Sequence, residues 1–442
     1  MHRTSRKPKV LFVAANHPAI RPGGAEGHSL EVFEELRRTG EFDAVFMARS
    51  GPPFSIAARQ HEGRPITLVH EDDPDQYLFY TDASDFDWLY GRSPQKSVIT
   101  RFFREFLLEV KPDVVHFQQS MFLGYDILRV TRNTLPEARI VYTFHEYLPI
   151  CFRDGQMIRT ASNELCREPG PRRCHECFPE VSQQSFFMRE RFIKSHLDVV
   201  DLFLTGSTYA LERYVDWGIP ESKIRHIPYS LPPAKLQAAT DERTTRNRFG
   251  FFGQFTQYKG VDVLLRAVER LGDDFDGSIR IHGANIETAP EAFRAEFGEL
   301  LERSSSAVSL LGQYHPRELP ALMAQVDWVL VPSIWWETGP LTVLEAFQHG
   351  RPVICSNMGG MSEKVTDGVN GLYFRRGDPD SLADVLREAS SDVALWERLR
   401  AGIPEVTPTS RHTAMLMEMY ASLLDQRVVE REPQLEEAFA GD

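Results

Sequence analysis

The sequence contains no uninterrupted apolar run of the roughly 20 residues that a membrane-spanning helix requires. Its first apolar segment, residues 10–15, is too short for the core of a secretory leader and runs straight into Asn16 and His17. Positive charge is not in excess, since 50 Lys and Arg against 63 Asp and Glu leave a net charge of -13. That balance argues against nucleic acid as the main partner, while leaving room for a local basic pocket facing a phosphate. Cysteine is scarce: there are five, and four of them crowd between Cys151 and Cys177. A disulfide-stapled secreted fold would spread them more evenly. Repeats of solenoid period are absent as well. These features predict a cytoplasmic protein. What remains is an ordinary globular composition, 42% hydrophobic and 26% charged, on a chain long enough for two domains of about 200 residues each.

Residues 10–15 form a continuous apolar run suited to a strand buried on both faces of a parallel sheet. The tetrapeptide Arg21-Pro22-Gly23-Gly24 breaks it, and residues 26–38 then carry Leu30, Phe33 and Leu36 near helical spacing. Residues 113–117, 139–144 and 202–205 read as further buried strands. After Pro232-Pro233 the chain turns polar, and a second series starts at Phe249, with strands at 249–253, 278–283, 328–332, 352–356 and 371–374. Helices are expected at 261–271, from about Pro340, and at 411–424, with a frayed acidic tail from Glu430. Alternating strands and helices predict an α/β fold of two Rossmann-like, doubly wound domains with an interdomain cleft at the strand ends. The expected domains are residues 1–235, with a Cys-rich insertion at about 150–180, and residues 248–405. Residues 406–442 would form a final helix returning to the N-terminal domain, followed by the tail.

Two strand–loop–helix junctions in the second domain carry chemistry. In the first, Thr338-Gly339-Pro340 offers capping residues and a proline before Leu341 and Thr342. The first N–H groups of a helix lack internal partners, so a diphosphate there would meet donors and the positive end of the dipole. Glu345 could accept hydrogen bonds from paired sugar hydroxyls, and Glu337 stands in the loop. The plainer reading is a surface helix with two ordinary glutamates. In the second junction Lys259 precedes the helix at 261–271, where it could reach the same anion; alone it would read as a solvated lysine.

The spacing of Glu337 and Glu345, with Thr338-Gly339-Pro340-Leu341 between them, resembles retaining glycosyltransferases of the GT-B fold, family 4. Supporting segments are Gly23-Gly24-Ala25-Glu26, Asp113-Val114-Val115-His116 and Thr143-Phe144-His145-Glu146. Gly359-Gly360-Met361 and Asp367-Gly368-Val369-Asn370-Gly371 match too, so the resemblance runs from about Lys9 to Leu424. It implies a nucleotide-diphosphate sugar held by the C-terminal domain and an acceptor hydroxyl, on a glycan or lipid-linked molecule, held by the N-terminal one. Glu345 would hold the ribose, and Lys259 with the backbone of Pro340 to Thr342 would hold the diphosphate. Glu337 would face the donor sugar, Gly23 and Gly24 would let the loop approach the phosphates, and His145 would lie near the reacting centre. A structural histidine is the alternative for His145, and the expected reading for His116. Gln254 stands where family members usually carry arginine, which leaves more of the diphosphate to Lys259. The implied role is surface polysaccharide or glycoconjugate synthesis; a sugar-nucleotide epimerase and a non-catalytic sugar-nucleotide-binding subunit are the alternatives.

No catalytic metal is expected. The Asp-x-Asp matches at Asp73/Asp75, Asp85/Asp87, Asp274/Asp276 and Asp378/Asp380 are numerous in an acidic chain, and none is expected to follow a strand. Cys151, Cys166, Cys174 and Cys177 form C-x14-C-x7-C-x2-C, a spacing compatible with a structural Zn²⁺, with free thiols or with a disulfide. Cys355 is expected in the core. Residues 101–107 and 186–194 mix aromatic and basic side chains. They predict core packing with solvated arginines, or else peripheral contact with the inner face of a membrane.

Overall fold

Side chains that are apolar on both faces of a strand can be satisfied only where helices cover both sides of a sheet. The computed structural model, which describes residues 6–53, 65–234, 244–272, 275–284, 286–304 and 307–439, builds two such sheets. The chain divides into one unit of Met1–Gly206, Leu211–Tyr229 and Pro408–Asp442, and another of Ser207–Ala210 and Ser230–Thr407.

The strands of the first unit are β1 (Lys9–Ala14), β2 (Asp43–Ser50), β3 (Ile66–His70), β4 (Asp73–Tyr80), β5 (Val114–Phe117), β6 (Arg139–Phe144), β7 (Leu202–Thr205) and β8 (Ile224–His226). They lie in the order β3-β4-β2-β1-β5-β6-β7-β8. Only the β3–β4 pair is antiparallel. Val10 to Val13 are fully buried at the centre. Helix Gly24–Thr39 covers them with Val32, Phe33 and Leu36, and it stops at Gly40, whose φ of 69° is the left-handed conformation that ends helices cheaply in glycine.

The last helix, Thr409–Phe439, belongs to this unit, and its Leu416, Tyr420 and Leu423 are buried in the same core. It runs past the point where the sequence suggested fraying. The polar stretch expected after Pro233 falls largely on residues 235–243, outside the described residues.

The second unit holds β9 (Arg248–Gln254), β10 (Ser278–Ala284), β11 (Val308–Gly312), β12 (Trp328–Val331), β13 (Val353–Ser356) and β14 (Gly371–Phe374), all parallel, ordered β11-β10-β9-β12-β13-β14. Helix Val261–Leu271 packs Val261, Leu264, Leu265 and Ala267 against Phe249, Phe251 and Trp328. Beneath the sheet, the fully buried Asp327 receives Arg248 Nη2 at 2.8 Å and the Arg248 backbone N–H at 3.1 Å. A buried carboxylate is tolerated there because its donors are fixed.

The order has a consequence for function. From β9 the chain steps outward to β10 and β11, then returns to place β12 on the other side of β9. The loops after β9 and β12 therefore leave neighbouring strands in opposite directions, the arrangement that opens a crevice at the carboxyl ends of a doubly wound sheet.

Candidate active site

β9 ends at Gln254 and the loop after it carries Lys259, while the loop after β12 carries Ser333 to Pro340. In the structure these two loops are bonded together. The Ile334 N–H donates to Tyr258 O at 2.8 Å. Gly260 has φ +70°, and a Cβ there would meet Pro332 O at 2.0 Å, so only glycine lets the two backbones pass this closely. That approach brings Lys259 Nζ to 2.7 Å from Glu337 Oε1. The same oxygen accepts from Ser333 Oγ at 2.7 Å and Trp335 Nε1 at 3.0 Å. The Lys259 ammonium also lies 5.4 Å over the Trp335 ring. Glu337 is buried, and these three donors satisfy that oxygen. The sequence flagged Lys259 and Glu337 separately and missed Ser333 and Trp335, neither of which has a diagnostic spacing.

The Glu337 backbone is held from the far side. Its carbonyl accepts from the Gly360 N–H at 2.8 Å, and a Cβ on Gly360 would meet that oxygen at 2.7 Å and Gly339 N at 3.0 Å. The ring of Trp336 stacks on Tyr209 at 4.6 Å.

Helix Leu341–Gln348 begins one residue later than the sequence suggested. Pro340 is its N-cap, with φ -66° and ψ 114°, and the cap makes no side-chain hydrogen bond. Proline has no N–H and holds an extended ψ here, so Thr338 and Gly339 belong to the loop. Glu345 is the fifth residue of this helix, half-buried, and burial alone pushes its carboxyl up to about 7. Its charge reaches the Tyr314 hydroxyl, which burial and then Glu345 raise above its ordinary range. Gln254 is exposed at the end of β9.

The other candidates stand in the first unit. Gly23 is the N-cap of helix Gly24–Thr39, and a Cβ on it would fall 2.3 Å from the Glu26 carboxylate. His145 follows β6 and is buried. Its Nδ1 lies 2.7 Å from Tyr229 Oη and its Nε2 lies 2.9 Å from Gln118 Oε1. A carboxamide oxygen only accepts, so His145 carries its proton on Nε2 and accepts the Tyr229 hydroxyl on Nδ1. Burial, then the nearby His412, pushes its pKa down to about 3, and the ring is neutral. His116 is held by Tyr420 Oη at 2.6 Å and Thr143 Oγ1 at 2.7 Å. Gln118 and Tyr229 were not legible as partners of His145, being 27 and 84 residues away.

Of the Asp-x-Asp matches, Asp73 and Asp75 lie on β4 itself. Asp73 is committed there to Arg37 at 2.9 Å and Gln76 at 2.7 Å. Asp378 caps helix Pro379–Ser391 through the Ser381 N–H at 3.0 Å, and Asp274 lies outside the described residues. Cys151, Cys166, Cys174 and Cys177 are half-buried free thiols, and Cys355 is buried in β13. Among the described residues, no three His, Cys, Asp or Glu side chains stand as a ready-made metal shell. In the two aromatic–basic segments Phe103, Phe106, Leu107, Phe186 and Ile193 are buried, whereas Phe187 and Met188 are exposed. No described helix is long and apolar enough to cross a membrane.

Two family models match the chain, "Glycosyltransferase Family 4" over residues 22–233 and "Glycosyl transferases group 1" over residues 246–392. A D-inositol 3-phosphate glycosyltransferase of Corynebacterium diphtheriae is 34% identical over 145 residues, 32% of this chain and 34% of that protein. An uncharacterized 41.2 kDa protein in the cps region of Klebsiella pneumoniae is 22% identical over 231 residues, 50% of this chain and 61% of that protein. The chain thus spans between 34% and 61% of the length of these curated relatives. Among solved structures, Anabaena HepE in complex with UDP and glucose is similar with a TM-score of 0.63 at 17% identity, covering 94% of this chain and 100% of that one. Sucrose-phosphate synthase from Thermosynechococcus elongatus gives 0.70 at 16% identity, covering 95% and 100%. At these identities the likeness establishes the fold, which is GT-B with two Rossmann-like domains.

Proposed function

The chain belongs to the group 1 and family 4 glycosyltransferases, and we propose that it moves a sugar, with retention at the anomeric carbon, from a nucleotide-diphosphate sugar to a hydroxyl of a glycan or lipid-linked acceptor. The reaction would serve surface polysaccharide or glycoconjugate synthesis in the cytoplasm, with peripheral contact at the inner face of the membrane for a lipid-linked acceptor. The observation that carries this reading is the bond between Lys259 and Glu337 beside the start of helix Leu341–Gln348.

In this proposal the diphosphate lies on the N–H groups of Leu341 and Thr342, and the Lys259 ammonium meets the charge that grows as the sugar departs. Glu337 holds that ammonium in place before the donor arrives, which avoids reorganisation during transfer. The remaining Glu337 oxygen takes hydroxyls of the donor sugar. Glu345 takes the ribose hydroxyls, a role for which an ionised, half-buried carboxylate suits two O–H donors. His145, neutral and fixed by Gln118 and Tyr229, orients the sugar rather than exchanging a proton with it. No step requires a catalytic metal.

HepE binds UDP and glucose, so UDP-glucose is the first donor to try. The test is a thermal-shift titration against UDP, GDP, ADP, dTDP and CMP, run beside Glu345→Ala. A ligand at 100 times its Kd adds about 2.7 kcal/mol to the stability of the state that binds it. A shift with one nucleotide that Glu345→Ala abolishes supports the reading, and no shift with any of them in folded protein refutes it. A non-catalytic sugar-nucleotide-binding subunit is the second reading, favoured by the neutral Gln254. Nucleotide binding without donor hydrolysis or transfer to any acceptor would select it.

A further inference from the structure

In the segment around residues 147–181, Tyr147, Ile150, Met157 and Ile158 are buried and Phe152 and Phe178 pack on Phe186, but the stretch that carries Cys166, Cys174 and Cys177 has little core of its own. From residue 159 to residue 185 no side chain is buried. Helix Pro171–Cys177 has seven residues, none buried, and no side-chain cap. A helix that short is unstable without tertiary support.

The backbone nevertheless draws its four cysteines together from three segments. Cys151 sits in a turn where the backbone N–H groups of Met157 and Arg153 donate to its sulfur. The carbonyl of the same Met157 accepts from the Cys166 N–H at 2.7 Å. Across the turn that follows, Thr160 Oγ1 donates to Cys177 O at 2.9 Å, and Arg159 pairs with Glu176 at 2.5 Å. Met157 thus ties Cys151 to Cys166, and Thr160 with Arg159 ties their neighbourhood to the helix bearing Cys174 and Cys177. The Cys166 thiol lies within electrostatic reach of Cys174 and Cys177, and the Cys151 thiol within reach of Cys166. Arg159 and Arg173 stand near Cys166, and Arg189 stands near Cys151 and Cys174.

We propose that Cys151, Cys166, Cys174 and Cys177 bind one structural Zn²⁺ that clips these three segments together. Four sulfur ligands, two of them in a C-x2-C pair, suit a closed tetrahedral zinc site. Binding replaces four thiol protons, released to solvent, with four zinc–sulfur bonds, and the resulting tetrathiolate carries two negative charges. Arg159, Arg173 and Arg189 supply positive charge around it, and backbone N–H groups already point at the Cys151 sulfur. As placed the four sulfurs do not form a closed shell, so binding requires them to converge.

The test is metal analysis of the full-length reduced protein, purified with Zn²⁺ and then passed through a chelator. About one Zn²⁺ per chain should remain, falling to traces in the Cys174→Ser/Cys177→Ser double variant and unchanged in Cys355→Ser. Should the double variant fail to fold, Co²⁺ in the wild-type protein decides, since four thiolates give thiolate-to-cobalt charge-transfer bands and intense tetrahedral d–d bands. Traces of zinc in the wild-type protein, zinc retained by the double variant, a disulfide found between any two of the four, or Co²⁺ without thiolate bands would each overturn the proposal. None of these readouts depends on nucleotide binding or on sugar transfer.

Discussion

Breaking the Lys259–Glu337 pair from its two ends should have unequal effects, because the two side chains differ in access to water. The Glu337 side chain is 6% exposed and that of Lys259 is 31% exposed. In Lys259→Met the carboxylate stays buried with Ser333 and Trp335 as its donors, and it cannot reach solvent. Removing one member of a buried pair costs about 3–5 kcal/mol when the other is stranded. The two surviving hydrogen bonds place the expected loss at about 2–3 kcal/mol. In Glu337→Gln the side chain keeps its shape and can still accept from Ser333 and Trp335, while the ammonium turns to water. The expected loss there is about 1 kcal/mol. Urea denaturation of both variants, followed by tryptophan fluorescence, measures the difference. The functional halves should diverge as well. Lys259→Met should weaken nucleoside diphosphate binding and lower turnover by about 10²–10³-fold. Glu337→Gln, which leaves the ammonium uncompensated, should bind the same nucleotide no more weakly than wild type while losing turnover. Equal stability losses in the two variants, or nucleotide binding lost from Glu337→Gln, would refute the reasoning.

The Glu345 carboxyl has a folded-state pKa near 7 against an ordinary value of 4.5, and ribose hydroxyls favour its ionised form. Nucleoside diphosphate affinity should therefore fall by up to about tenfold per pH unit below 7, and Glu345→Gln should remove that part of the dependence. Because the unfolded chain gives up this proton first, stability of the ligand-free protein should decline as pH rises from about 4.5 to about 7, and urea midpoints that rise across that window only when Glu345 is present would contradict it. Gly360→Ala drives a Cβ into two backbone atoms of the Glu337 loop and should cost about 1–3 kcal/mol together with nucleotide binding. Gly298→Ala, with nothing within 4 Å of the new carbon in helix Glu291–Arg303, should instead stabilise by about 0.4–1 kcal/mol; thermal melts with and without nucleotide compare the two. Asp327→Ala removes the buried acceptor of the Arg248 backbone N–H, Nε and Nη2 and should cost about 3–5 kcal/mol, read from the denaturation transition reported by the adjacent Trp328.

Core strands were legible at several continuous apolar runs, as in β1, β9 and β12, although β2, whose Ala44 to Ala48 is such a run, is absent from the expected strands. The sequence concealed β4, because Asp73-Pro74-Asp75 opens that strand with residues that usually mark turns. Glu337 and Glu345 were visible as a spacing, since they lie in one loop–helix unit. Their settings were not. The carboxyl of Glu337 is held by an ammonium 78 residues away, and Glu345 owes its raised pKa to surroundings that no local pattern encodes. Gly260 was the one local signal for the pairing, because a glycine just after Lys259 permits the left-handed turn and the contact with Pro332.

Sheet order explains why that pair had to be invisible in the chain yet close in the fold. Lys259 and Glu337 follow β9 and β12, which are far apart in sequence but hydrogen-bonded neighbours, Trp328 lying opposite Phe249 and Leu330 opposite Phe251. The first unit repeats the logic: β1 lies between β2 and β5, and Gln118, which follows β5, donates its backbone N–H to Val13 O on β1 at 2.8 Å. Its side chain then reaches His145 at the end of β6, the next strand over. In the second unit the polar side chains meet where the strand order reverses, because there the loops diverge and leave their donors and acceptors uncovered by a crossing helix; in the first unit they meet one strand beyond that point, between the ends of β5 and β6. A sequence reader who fixed the strand order first would have looked for the partner of Lys259 in the loop after β12 and for the partner of His145 in the loop after β5.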